Sequence, residues 1–405
     1  MTVNASLKRS LTLPMVTFFG LGNILGAGIY VLVGKVAGEA GYFTPLAFLV
    51  ASIIAAISAC TYAELSARYP VSAGPAMFLH EGLNIRVLTI TVGLLITLAG
   101  MVSTSALAHG FAGYVSVFID LPPWLMMVAV ILALGSLAIW GIIESVIVAS
   151  LLTILEILGL VLIIVTGTDY LTSVNHVAIV ASPSFTAIPW LGVFSGAFLA
   201  FYAYLGFEDM VNVAEEVKQP EKNMPRAIVL SVIISAVLYA GVSIVAVKLI
   251  SPETLTLSTA PLADVYAAAT GKTPVLISLI GIFAVINGAL IQIVMASRLL
   301  YGMANKGWLP ERLAYIHPKT RTPLLSTVIV IVIILFFSLA LQLVALAKLT
   351  SYLVLIVFVL VNLSLIKIKL RKVKTDVAII FPLWVPISGF ITSVGFLLFE
   401  SISSL

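Results

Sequence analysis

The chain has 405 residues, 61% of them hydrophobic and only 9% charged, with a mean hydropathy of +1.20; soluble globular proteins carry about 25% charged residues. It reads as a polytopic membrane protein. A single cysteine, Cys60, excludes an internal disulfide and any multi-cysteine metal site, and four histidines without an HExxH, a nucleophile elbow or a Walker glycine loop leave no recognisable catalytic set. The formal charge of +4 is spread as topological anchors, as shown below, so neither an enzyme, a cofactor, a metal nor a nucleic-acid partner is expected.

At about 20 apolar residues per membrane crossing, the sequence predicts eleven spans, at 12–36, 42–67, 87–118, 124–140, 143–167, 188–214, 225–250, 274–304, 323–343, 345–366 and 377–399. Lys8 and Arg9 precede an apolar stretch too long for the core of a cleavable signal, so the first span is expected to stay. With the N-terminus in the cytoplasm, only Lys35, Lys248, Lys272 and Lys348 of the 21 basic residues fall outside. The positive-inside rule favours that orientation and a plasma-membrane, multi-pass location, with the C-terminus outside if the count of spans is odd. The basic run Lys367 to Lys374 serves as one such anchor. No shift of composition marks a soluble domain, and residues 1–405 read as one transmembrane domain.

The first span contains Gly20-Leu-Gly-Asn-Ile-Leu-Gly-Ala-Gly28 where a lipid-facing helix would carry Leu, Ile and Val. Each glycine costs about 1 kcal/mol relative to alanine in a helix interior, and Asn23 competes for backbone partners. The helix is expected to stop and restart here, enclosed by the rest of the chain, because irregular backbone at membrane depth must be buried in protein or line a cavity. The sixth span repeats the anomaly: Ala200-Phe-Tyr-Ala-Tyr-Leu-Gly-Phe-Glu-Asp209 runs into Gly206 and then two adjacent carboxylates. Charges at such depth cost about 3 kcal/mol each on insertion scales and mark pathways or buried pairs; the bland alternative is a helix that ends near Gly206 with Glu208 and Asp209 at the interface. Between spans 6 and 7, Pro225 suits the first turn of span 7.

Two interrupted spans at positions 1 and 6 fit an all-α, five-plus-five inverted repeat with the broken helices meeting at the bilayer midplane. The repeats would be 12–167 and 188–366, with 377–399 an additional C-terminal helix. Freed amides at a half-helix start suit a carboxylate, and freed carbonyls at a half-helix end suit an ammonium or a cation, so the pair asks for a zwitterionic amino acid. Gly26 and Gly28 would let the backbone approach such a ligand closely.

The sequence resembles the amino acid, polyamine and organocation transporter superfamily. Gly26-Ala-Gly-Ile-Tyr30 is similar to its span-1 motif, and Phe201-Tyr-Ala-Tyr-Leu-Gly-Phe-Glu208 to its span-6 segment. Further matches are Tyr62-Ala-Glu-Leu-Ser-Ala-Arg-Tyr-Pro70, Ala214-Glu-Glu-Val-Lys-Gln-Pro-Glu-Lys-Asn-Met-Pro-Arg226 and Ser297-Arg-Leu-Leu-Tyr-Gly-Met-Ala304. The resemblance implies transport by alternating access, with the substrate carboxylate against the backbone at Ala27 and Gly28 and its amino group against carbonyls at Ile24, Tyr202, Ala203 and Leu205. The family commonly has twelve helices, against eleven counted here.

One departure bears on energetics. Aligning Gly141-Ile-Ile-Glu-Ser145 with the family's start of span 5 puts Glu156 where several proton-coupled members and related exchangers carry a lysine. Glu156 lies midway along an apolar span with no basic residue in it, so it is expected to be protonated for part of the cycle or paired with a cation, which makes it the candidate proton or sodium site. The bland alternative is a protonated glutamic acid bonded to a neighbouring carbonyl. His109, inside span 3, is a candidate relay or a structural residue between helices. Glu208 is a candidate gating group, while Asn287 and Gln292 read as interhelical bonds and Glu64 with Arg68 as a local i, i+4 ion pair. Span 3 carries no acid between Leu88 and Phe118, which favours a neutral substrate.

The expected function is therefore proton-coupled import of a small amino acid. An amino acid or polyamine exchanger is the nearest alternative, then a sodium-coupled symporter or a non-transporting sensor.

Overall fold

A computed structural model describes residues 9–26, 28–71, 74–140, 146–171, 188–371 and 379–403. The described residues are almost wholly helical, and each of the eleven expected spans has a helical counterpart. Span 1 is split into α1 (Leu13–Leu25) and α2 (Ile29–Ala40), followed by α3 (Thr44–Arg68), α4 (Gly74–Leu83), α5 (Arg86–Val115), α6 (Pro123–Trp140) and α7 (Val146–Leu171). Span 6 is α8 (Trp190–Phe201) and two 3₁₀ turns, Tyr202–Tyr204 and Asp209–Glu216. Then come α9 (Pro220–Leu249), two short helices α10 (Pro252–Leu257) and α11 (Pro261–Thr270), α12 (Val275–Asn305), α13 (Leu324–Ala340), α14 (Leu343–Leu370) and α15 (Trp384–Ser403). The protein is a multi-pass, all-α membrane protein.

The most extensive helix pairings are α3 with α9 and α5 with α12, and the two broken spans lie between these pairs. Small residues allow the close approach expected where lipid offers no hydrophobic drive between helices. A Cβ on Gly113 of α5 would sit 2.1 Å from the Thr259 carbonyl, and one on Gly34 of α2 would sit 2.3 Å from the Leu255 carbonyl. The α10–α11 link is thereby pressed onto α2 and α5, and the Lys35 ammonium donates to the Thr256 carbonyl across the same contact.

At the opposite end, Ser10 and Leu11 donate to the Glu216 carbonyl at 2.9 Å, and Lys218 returns a bond to the Leu11 carbonyl at 2.8 Å. This pins the start of the described chain to the end of span 6. Glu64 does more than pair with Arg68: its buried carboxylate accepts from Arg68 (2.7 Å), Lys369 (2.6 Å) and the Phe381 amide (2.9 Å), joining α3, α14 and the approach to α15. The other end of α15 is tied by Lys348 to Glu400 at 2.8 Å.

Several boundaries differ from expectation. α9 begins at Pro220, which takes the first-turn position assigned to Pro225, while Pro225 lies inside the helix. α4 lies between the spans expected at 42–67 and 87–118, and at ten residues it is too short to cross a membrane. α15 starts at Trp384, seven residues later than the span expected from residue 377. Gly20 and Gly22 lie in intact α-helix, so only Gly26–Gly28 is a break. Glycine at 20 and 22 serves packing instead: a Cβ there would meet Met210 Sδ at 2.3 Å and Thr153 Oγ1 at 2.2 Å, respectively.

Candidate functional site

The first break follows from the backbone bonds. The Gly26 N–H closes the last turn of α1 on the Gly22 carbonyl at 3.1 Å, and the ladder restarts only where Leu32 N–H reaches the Gly28 carbonyl at 2.9 Å. The Gly26 amide is thus already engaged. In between, the Ile24 carbonyl accepts from a side chain. Ala27, expected at the carboxylate cradle, lies outside the described residues, as do Glu144 and Ser145.

The second break is longer. After Tyr204 the chain is extended at Leu205, and Gly206 has φ +122°, a region that side-chain-bearing residues rarely adopt. A Cβ on Gly206 would also lie 2.7 Å from the Asn23 carbonyl, so the turn needs glycine twice over. The Tyr202 carbonyl accepts from Leu205 N–H at 3.1 Å and is already engaged, whereas that of Ala203 takes a side-chain donor. Glu208 and Asp209 are 7% and 5% exposed, so the reading of helix 6 as ending at the interface fails. Glu208 accepts from the Gly206 amide at 2.8 Å and Asp209 from Gln292 of α12 at 2.7 Å.

The two breaks touch. A Cβ on Gly28 would stand 2.1 Å from Ala203 Cα, so the backbone of span 1 lies directly on that of span 6, and a Cβ on Gly26 would meet the Ala284 carbonyl of α12 at 2.8 Å. The Tyr239 hydroxyl of α9 stitches the junction, 2.7 Å from the Ile24 carbonyl and 2.8 Å from the Ala203 carbonyl. Tyr202 is fixed from the other side, its hydroxyl 3.0 Å from Ser103 Oγ. Beside the junction, Ser103, Gly100, Leu205, Glu208, Asp209, Gln292 and Thr350 line a narrow cavity of about 20 Å³, room for one or two waters. Asn23, buried in the last turn of α1 beside Gly206, has neither amide atom partnered among the described residues, and an unmet buried polar group costs about 1–3 kcal/mol.

Glu156 is buried between α7, α1 and α12. Asn287 donates to its carboxylate at 3.1 Å, and the Tyr30 hydroxyl, from the first turn of α2, donates to its backbone carbonyl at 2.7 Å. Tyr30 is held in turn by Tyr114, whose hydroxyl donates to the Tyr30 carbonyl at 2.6 Å. The restart of span 1 is therefore anchored directly to the residue that carries the carboxylate. His109 lies apart from this cluster: its Nε2 is 3.1 Å from the carbonyls of both Ser338 and Leu341, which places the ring as a cap on the end of α13.

The structure brings together Ile24, Gly26, Gly28, Tyr202, Ala203, Leu205 and Glu208, links Glu156 to the restart of span 1 through Tyr30, and leaves His109 outside. Sequence reasoning missed Tyr239 and Thr153. A tyrosine in the middle of an apolar span must find a partner for its hydroxyl, and that was the available signal for Tyr239.

A branched-chain amino acid permease, BcaP, of Bacillus subtilis is 30% identical over 346 residues, covering 80% of this chain and 72% of the relative. A vacuolar cationic amino acid transporter 4 of Arabidopsis thaliana is 29% identical over 349 residues, covering 80% and 57%, so the chain spans little more than half of that relative. A methylthioribose transporter of Bacillus subtilis is 28% identical over 342 residues, covering 80% and 73%. The family described as amino acid permease matches residues 11–402, which take in both breaks and the helices that enclose them. The chain belongs to the amino acid permease family, a family of transporters and not of enzymes.

Proposed function

We propose that the protein imports a small amino acid by alternating access, driven by a proton that Glu156 carries, at the plasma membrane with its N-terminus in the cytoplasm. The observation that carries the substrate site is the convergence of the Ile24 and Ala203 carbonyls, one from each broken span, on a single point 2.7–2.8 Å away. Such a point suits an ammonium group, which offers three donors. The pairing of α3 with α9 and of α5 with α12, second with seventh span and third with eighth, supports an inverted repeat of 12–167 and 188–366 about the breaks.

Coupling through Glu156 is supported by its depth and by its contact with Asn287, a neutral donor that can face either an ionised or a protonated carboxyl. Its backbone bond to Tyr30 ties any movement of Glu156 to the restart of span 1. Uptake by proteoliposomes tests the whole reading. Vesicles without internal substrate should accumulate a small neutral amino acid under an inward proton gradient, and a protonophore should stop it. A strict need for internal substrate overturns import in favour of exchange, and stimulation by sodium at constant pH overturns the proton.

A second reading, of a cationic substrate, is favoured by one observation. The absence of an acid in span 3 argues for a neutral side chain, yet span 6 places Glu208 and Asp209 on the cavity beside the junction. Competition of L-alanine, L-leucine, L-lysine and L-arginine for uptake decides between the two.

A further inference from the structure

We propose that the Tyr239 hydroxyl is a placeholder for the substrate's ammonium group: it holds the carbonyls of Ile24 and Ala203 between rounds of transport, and an arriving amine displaces it. The inference rests on the reading of the two breaks as the substrate site.

Tyr239 belongs to α9, not to either broken span, yet its fully buried hydroxyl lies within 2.8 Å of a carbonyl from each. A phenol has one hydrogen, so it serves only one of the two acceptors fully at any moment. An ammonium group brings three hydrogens and a charge, and charge-assisted hydrogen bonds are roughly twice as strong as neutral ones. The exchange is therefore favourable for an amine and unfavourable for a ligand without one. An amine that took up both carbonyls would compete with the hydroxyl, which already lies 2.7 Å from one and 2.8 Å from the other. The ring has support that does not depend on the hydroxyl: it packs on Phe48 with centroids 5.8 Å apart and on Tyr204 at 5.0 Å. Tyr239 can thus yield its hydrogen bonds without leaving its seat. It is a positioning residue that makes a protonated amine the requirement for opening the junction, and that closes the two breaks on each other when the amine has gone.

The test compares wild type with Tyr239→Phe in lipid nanodiscs, using whichever of L-alanine, L-leucine and L-lysine binds wild type most tightly, beside the deaminated carboxylic acid of the same carbon skeleton. Tyr239→Phe should bind the amino acid about three- to tenfold more tightly, since one net hydrogen bond is no longer displaced. Without ligand it should unfold at lower temperature than wild type, and the ligand-induced rise should be larger. The deaminated acid should bind both proteins alike. Equal or weaker binding of the amino acid by Tyr239→Phe overturns the placeholder and leaves Tyr239 a structural clasp. Should Tyr239→Phe fold poorly, 3-fluorotyrosine at position 239 gives the same answer in the intact site. Its fluorine resonance should move on saturation with the amino acid and stay in place with the deaminated acid; an unmoved resonance under saturating amino acid overturns the proposal. If none of the three amino acids binds wild type, the substrate reading fails and takes the placeholder with it, whereas binding with equal affinity in both proteins removes the placeholder alone.

Discussion

The two breaks solve one problem in different ways. Span 1 is interrupted between Leu25 and Ile29, and its glycines are spent on contact: Gly26 against Ala284 of α12, Gly28 against Ala203 of span 6. The polar side chain nearest to it among the described residues is Asn23, in the last turn of α1. Span 6 is interrupted from Tyr202 to Glu208, turns through a positive φ at Gly206 and brings two carboxylates into the protein interior. One break therefore offers backbone held at close range, and the other offers backbone together with charge. A ligand gripped at their junction would be recognised by main-chain atoms common to any amino acid, while its side chain would be judged by span 6 and the cavity beside it.

The largest effect should come from disturbing the contact itself. Gly28→Val puts a branched side chain where Ala203 already lies, and overpacking of about 3 kcal/mol would lower uptake about a hundredfold; near wild-type uptake would show that the breaks need not meet during transport. Next is the carboxylate proposed to drive the cycle: Glu156→Gln keeps a partner for Asn287 but cannot give up a proton. Stimulation by a proton gradient should vanish, with exchange of internal for external substrate retained within about threefold. Wild-type dependence on external pH in this variant would move the coupling elsewhere.

Smaller effects sharpen the difference between the breaks. Gly206→Ala strains the φ of +122° and should destabilise the protein by about 2 kcal/mol, read as a fall in unfolding temperature. Asp209→Asn preserves an acceptor for Gln292 and removes a charge. It should change the KM for a neutral amino acid by less than about threefold, or ~0.7 kcal/mol, whereas a larger rise confined to L-lysine would support the cationic reading. Smallest of all on transport is His109→Ala, which should cost about 1 kcal/mol of stability and leave uptake unchanged.

Much of this was legible in the chain because membrane depth makes exceptions conspicuous. Glycines at 26 and 28, carboxylates at 156, 208 and 209, and the paired breaks all stand out against apolar sequence, and each lies in the buried centre or packs on it. Residues whose purpose is set by a distant partner were harder. Gly20 and Gly22 look like helix breakers, yet helical bonding persists through both, since the cost of glycine is met by the close approach of Met210 and Thr153. Tyr239 reads as one more large side chain in an apolar span, because nothing local announces that two carbonyls 215 and 36 residues away end on its hydroxyl. The same holds for Glu64, whose i, i+4 partner is evident while Lys369 and the Phe381 amide, 305 and 317 residues distant, are not.

The claim on which the rest depends is that an amino acid binds where Gly28 meets Ala203. Thermal unfolding of wild type and Gly28→Ala with saturating L-alanine, L-leucine, L-lysine or L-arginine tests it directly, since a ligand stabilises the state it binds. At least one amino acid should raise the unfolding temperature of wild type and fail to do so for Gly28→Ala; an equal rise in both proteins would place the binding site away from the two breaks.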